Sequence, residues 1–164
     1  VAERGYAYPP RSNDGGTNEW YTPPHLFRDL GLDFDLDPCA PAGGLPWIPA
    51  KRFYSVEDDG LTLPWEGRVW MNPPYGRNEI APWIDRFIAH GNGIALVFSR
   101  TDTAWWQYLV RSVDAVSFIA GRLKFVGDSK AGHNSPVPSM LAAFGPECVS
   151  AIRRCGLSLS PGGS

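Results

Sequence analysis

The 164-residue sequence predicts an α/β fold, a β-sheet carrying helices on its faces. Three observations predict it. Short apolar runs, GRVWM (67–71) and GIALVFS (93–99), alternate with segments of helical apolar spacing, NEIAPWIDRFIAH (78–90) and DTAWWQYLVRS (102–112). Hydrophobic residues make up 43% of a chain of one-domain length, enough for a core. Glycine and proline punctuate the boundaries between segments.

Taken in order, residues 1–16 are rich in Pro, Gly and polar residues without periodicity. They predict a flexible N-terminal arm, with 17–164 as a single domain. TPPHLFRDLG (22–31) predicts a short helix, with Thr22 as cap, prolines in the first turn and Gly31 as the stop. DFDLDPCA (33–40) alternates as a strand and breaks at Pro38. APAGGLPWIPA (40–50) is too interrupted for a long helix and predicts a loop. GRVWM is a buried strand. Residues 78–90 are a helix with Ile80, Trp83, Ile84, Phe87 and Ile88 on its apolar face. GIALVFS is the strongest central strand, followed by a helix over 102–112. AVSFIA (115–120), RLKFV (122–126) and SMLAAF (139–144) are three further strands. PECVSAIRRCG (146–156) is a closing helix ending at Gly156.

No apolar run approaches the ~20 residues of a membrane span, and the opening VAERGYAYPP carries no apolar leader. Cys39, Cys148 and Cys155 form no CxxC pair, and His25, His90 and His133 are scattered. The expectation is a reduced, cytoplasmic protein without disulfides, structural zinc or other metal. The net charge of −2 divides unevenly: residues 1–76 hold 6 Lys and Arg against 11 Asp and Glu, and residues 77–164 hold 9 against 6. Chance can produce that split; an acidic half facing a cationic cofactor and a basic half facing a polyanion is its functional reading.

Two predicted strands end in polar turns, Asp37-Pro38-Cys39-Ala40 and Asn72-Pro73-Pro74-Tyr75. Ligands of α/β sheets bind at the carboxyl ends of strands, so both turns are expected on one rim. The Asn72 side chain and the Pro73 carbonyl offer two acceptors, which suit an amino group bearing two hydrogens. Accepting both favours a pyramidal nitrogen whose lone pair can attack. Pro73 and Pro74 restrict the backbone, so the acceptors are set before substrate arrives. Tyr75 offers an aromatic face for a flat base.

These residues resemble the amino methyltransferases that use S-adenosylmethionine, with their (D/N/S)PP(Y/F/W) signature. More closely, the sequence resembles the small phage-type, Dam-like DNA N6-adenine methyltransferases. The landmarks are TNEWYTP (17–23), LDPCA (36–40), FYSVEDDGL (53–61), VWMNPPYG (69–76), RTDTAWW (100–106), GRLKF (121–125) and SPVPSML (135–141). They occur in order over roughly residues 17–145.

The resemblance implies an abbreviated Rossmann-like methyltransferase fold, a mixed sheet flanked by helices. It implies double-stranded DNA as partner and S-adenosylmethionine as cofactor, with the target adenine flipped out of the duplex. Asn72 and Pro73 would polarise the target amine, Pro74 would shape the turn, and Tyr75 would stack on the base. Asp37, Pro38 and Ala40 would line the methionine end of the cofactor. Trp20, Thr22 and Pro23 would line the same pocket, and Asp59, with Gly60 and Leu61, would lie near the adenosine.

The sequence departs from larger methyltransferases in two respects. No Gly-rich turn follows the first strand, Gly43 and Gly44 coming later, and only 34 residues separate Asp37 from Asn72. No recognition domain fits in that interval, so DNA recognition is expected within 121–139. There Arg122 and Lys124 alternate onto one face for phosphate contact, and Lys130 and Asn134 sit in a polar loop. Asp58 reads as part of an exposed acidic turn. Trp105, Trp106 and Tyr108 read as core at helical spacing rather than as a stacking platform. Two alternatives stay open: methylation of RNA or of a protein glutamine by the same chemistry, and a nucleic-acid-binding module without catalysis.

Overall fold

The computed structural model describes residues 21–75, 79–126, 133–135 and 137–161. The elements are α1 (Pro24–Leu30), β1 (Phe34–Asp37), β2 (Ala50–Phe53), β3 (Val69–Met71), α2 (Ile80–His90), β4 (Gly93–Phe98), α3 (Ala104–Ser112), β5 (Ala115–Ile119), β6 (Lys124–Phe125), β7 (His133–Asn134), β8 (Ser139–Phe144), α4 (Pro146–Ile152) and β9 (Gly156–Leu159). The arm predicted over 1–16, and Trp20 and Lys130, lie outside the described residues.

Seven strands form one mixed sheet in the order β2-β1-β3-β4-β8-β5-β9, with β6 and β7 in a separate two-stranded ladder. The strands β2, β1, β3 and β4 are parallel, and β8 runs antiparallel to both β4 and β5. The expected α/β fold with a mixed, helix-flanked sheet is therefore the observed one. After β1 the chain adds β2 on one side and then crosses to add β3 on the other. The strand order reverses between β1 and β3, and such a point opens a crevice at the carboxyl ends.

All six residues of β4 are buried, as its unbroken apolar run requires. Ile94, Leu96 and Phe98 pack with Leu26, Phe27 and Leu30 of α1 and Cys148, Ala151 and Ile152 of α4. Ala95 and Val97, pointing the other way, pack with Ile84 and Phe87 of α2 and Trp106 and Leu109 of α3. Full burial of side chains such as Ile84 and Phe87 stabilises the fold by roughly 1.5–3 kcal/mol each. Gly31 ends α1 in the left-handed region at φ 58, as predicted.

The structure corrects several element assignments. Thr22 caps nothing: α1 begins after Pro23 and has no side-chain cap. The stretch read as a loop up to residue 50 runs into β2, paired in parallel with β1. Between Asp37 and Asn72 there are two short strands, β2 and β3, and no helix, which is the abbreviation that 34 residues impose. Strand RLKFV shortens to Lys124–Phe125, joined to β7 rather than to the main sheet. The closing helix stops at Ile152, and Gly156 begins β9 instead, pairing with β5. No helix among the described residues is long and apolar enough to cross a membrane.

Candidate active site

The carboxyl ends of β1 and β3 lie side by side, with Leu36 opposite Val69 in the ladder. The two polar turns thus share one rim, as expected, and they are joined there. The Asn72 backbone N–H bonds to the Cys39 thiol. Tyr54 brackets the first turn from β2's side: its N–H donates to the Asp37 carbonyl at 2.8 Å, and its carbonyl accepts from Ala40 at 2.9 Å. The backbone of Gly60 lies on the same turn. A Cβ added there would stand 2.0 Å from the Pro38 carbonyl oxygen, so only glycine permits this approach. Pro38 and Ala40 are buried beneath it.

Two aspartates of β1 have opposite environments. Asp35 is bonded to Lys51 at 2.7 Å and accepts the Arg68 backbone N–H at 2.8 Å; the lysine first, then that amide, lower its pKa. Asp37 is 4% exposed, and among the described residues no cation stands beside it. Burial raises its pKa to about 7, against a smaller opposing effect of the Cys39 N–H, which donates to Oδ1 at 3.1 Å. Cys39 keeps part of its residue surface exposed, but burial of the thiol, then the nearby Asp37 charge, raise its pKa well above the ordinary thiol value. It is a poor nucleophile.

At the second turn Pro73 is buried, Pro74 exposed, and Asn72 and Tyr75 half-buried. Asn72 Nδ2 donates to Thr22 Oγ1 at 3.4 Å. The Tyr75 hydroxyl donates to the Leu96 carbonyl at 2.8 Å and stands 3.2 Å from Asn72 Oδ1. Its ring stacks on Phe98, centroids 3.9 Å apart and planes inclined at 21°. Phe98 meets Phe125 of β6 edge-on at 6.4 Å. The ring expected to receive a base is therefore already supported on one face by another aromatic side chain.

The sequence model of the DNA N-6-adenine-methyltransferase (Dam) family matches residues 11–146. The chain belongs to the Dam family. No curated protein matches it.

Within this family member, the structure brings Thr22, Pro23, Asp37, Pro38, Ala40, Asn72, Pro73, Pro74 and Tyr75 to one end of the sheet. Asp59 lies in the adjoining loop, exposed, at φ 56, with Oδ1 accepting from Leu61 N–H at 3.3 Å. That is a turn-forming role. Asp58 likewise closes its own turn onto Ser55.

Arg122 and Lys124 are exposed on either side of buried Leu123. Lys124 stands opposite Asn134 in the β6–β7 ladder. Val126 exchanges both backbone hydrogen bonds with Tyr21, which ties this hairpin to the segment holding Thr22. Trp106 is core, while Tyr108 of the same helix is 50% exposed.

Sequence reasoning overlooked Trp47, whose Nε1 donates to the Thr22 carbonyl at 2.9 Å, and Phe98 beneath Tyr75. A tryptophan within the Gly- and Pro-rich run 40–50 was the available signal for the first. Two open clefts, of about 640 and 370 Å³, include Asp33 in their lining, and Arg68 lines the larger. Asp33 and Arg68 precede β1 and β3, which puts the larger cleft at the amino ends, whereas the smaller cleft is also lined by Pro24 and by Trp47, the partner of the Thr22 carbonyl. Among the described residues no group of three or more His, Cys, Asp or Glu could hold a metal ion.

Proposed function

We propose that this protein transfers a methyl group from S-adenosylmethionine to the N6 amine of adenine in double-stranded DNA. The observation that carries the reading is the Asn72-Pro73-Pro74-Tyr75 turn beside buried Asp37, at the switch point of the sheet, in a Dam-family chain. The residues fit the cofactor: a buried carboxyl with its pKa raised to about 7, with no cation beside it among the described residues, suits a ligand bearing an ammonium group. Asp37, Pro38 and Ala40 would hold the cofactor's methionine end, with Pro23 beside them and Trp20 and Asp59 as further contacts. S-adenosylmethionine bound there would supply an electrophilic methyl group, with the proton displaced from the amine passing to solvent.

The chain's own residues receive the base. A stacked adenine cannot bring its amine to this rim, so the nucleotide is extruded. Its ring lies against Tyr75, which Phe98 supports. The amine donates to Asn72 Oδ1 and the Pro73 carbonyl, displacing the Tyr75 hydroxyl from Oδ1. Holding both hydrogens in this way favours the pyramidal nitrogen needed for attack, and the rigid Pro-Pro backbone keeps the acceptors from reorganising. The test is incubation with cofactor carrying a labelled methyl group and mixed-sequence duplex DNA, followed by nucleoside analysis. Label in N6-methyladenine is expected. Label only in methylcytosine, RNA or protein overturns the assignment.

The hairpin bearing Arg122 and Lys124 is proposed as the phosphate-contacting surface, with Lys130 and Asn134 completing the recognition element. Its attachment to Tyr21 and the edge contact of Phe125 on Phe98 support a position next to the base-receiving ring. Converting Arg122 and Lys124 to alanine removes two cations. The slope of log affinity against log salt is expected to become shallower by roughly 1–2, with site preference unchanged. An unaltered slope in a folded variant would move the phosphate contacts elsewhere.

A further inference from the structure

Thr22 is 1% exposed, and its backbone is held from two directions. Trp47 Nε1 donates to its carbonyl at 2.9 Å. The preceding residue, Tyr21, exchanges hydrogen bonds of 3.1 and 2.9 Å with Val126. Pro23 and Pro24 follow and restrict the chain further. The hydroxyl is thus delivered by a braced backbone to Asn72 Nδ2, 50 positions away in the sequence.

A primary amide is nearly symmetric in shape and opposite in chemistry at its two ends. Rotated by half a turn, Asn72 would present N–H groups to an incoming amine and repel it. The observed contact turns Nδ2 toward Thr22 and Oδ1 toward Tyr75. An incoming amine carries only hydrogens to share, so the productive state needs Oδ1 facing it and Nδ2 held behind. Thr22 provides that hold.

We propose that Thr22 is a positioning residue that orients the Asn72 amide, with its hydroxyl as acceptor for Nδ2 and Trp47 as the brace for its backbone. This rests on the amine-methylation reading and adds a residue to it. Valine at this position keeps the branched shape but accepts no hydrogen bond, removing the hold that Thr22 exerts on Nδ2.

The test compares Thr22→Val and Thr22→Ser in the full chain, with kcat at saturating cofactor and cofactor Kd by calorimetry. Thr22→Val is expected to lower kcat roughly 10- to 100-fold, the cost of a misaligned catalytic group, with Kd changed less than about threefold. Thr22→Ser, which restores the acceptor, is expected to recover kcat to within about threefold. Should the valine variant fail to fold by circular dichroism, Thr22→Ala against Thr22→Ser reads the same hydroxyl. Normal kcat with a weakened Kd overturns the proposal by giving the hydroxyl to the cofactor. Equal loss in the valine and serine variants overturns it as a packing effect. An active wild type with an unaffected valine variant sinks this inference alone. A wild type that methylates no amine sinks it together with the reading beneath it.

Discussion

Asn72→Ala is expected to abolish turnover while leaving the fold and cofactor affinity nearly intact. The side chain reaches Thr22 and Tyr75 across the rim, and its oxygen is the acceptor proposed for the target amine. Removing one preorganised polar contact of this kind typically costs ~10²–10³-fold in rate. Calorimetry with cofactor and single-turnover methylation check the two halves separately. Near-normal turnover in a folded variant would end the catalytic assignment. Tyr75 should separate ring from hydroxyl. Tyr75→Phe keeps the ring on Phe98 and removes a hydroxyl that must leave Oδ1 in any case, so most activity is expected to remain. Tyr75→Ala forfeits stacking worth ~1–3 kcal/mol per base and should lose roughly ten- to a hundredfold in kcat/KM.

Asp37→Asn is expected to weaken cofactor binding roughly 10- to 100-fold, since a hydrogen bond to a charged group contributes ~1.5–3 kcal/mol. The same change is expected to stabilise the protein above neutral pH. Burial raises the Asp37 pKa in the folded state to about 7 from an ordinary 3.8. The folded chain therefore holds a proton that the unfolded chain gives up. Stability from this group is fully present below pH ~4 and is lost as pH rises through about 7. Asparagine does not titrate, so the melting temperature of the variant should exceed that of the wild type by several degrees at pH 8 and much less at pH 5. A bound ammonium favours the charged carboxyl, so wild-type cofactor affinity should fall below pH 7 and that of Asp37→Asn should not. A melting difference independent of pH would mean that Asp37 does not titrate in this range.

The amino-acid sequence by itself determined the layered α/β class, the central strand β4, the helices α1 to α3, and the two polar turns that meet on one rim. Each has a local cause. The run GIALVF is apolar throughout because both faces of β4 are covered, and α2 carries a helical stripe because only one side of it is. The Pro-Pro turn restricts its own backbone wherever it is placed. Gly31 stops α1 for the same kind of local reason, a left-handed φ that glycine adopts without strain. Edge strands have no such signature. In β2, Lys51, Arg52 and Phe53 are exposed, and in β9 Leu157 and Leu159 are. These strands exist because a neighbour supplies ladder hydrogen bonds, which a residue pattern does not encode. The end of α4 at Ile152 follows too, since Gly156 is taken by its pairing with Ile119 of β5.

Side-chain roles divided in the same way. The residue types at the rim announced amine chemistry, but local sequence cannot distinguish Thr22 as a helix cap from Thr22 as a partner of Asn72. Nor can it distinguish Asp35 from Asp37. Both stand in the same short strand, and their titration is pulled in opposite directions by Lys51 in one case and by burial in the other. Those outcomes depend on what the folded chain brings across from residues 22, 51, 72 and 98, and only the tertiary structure decides it.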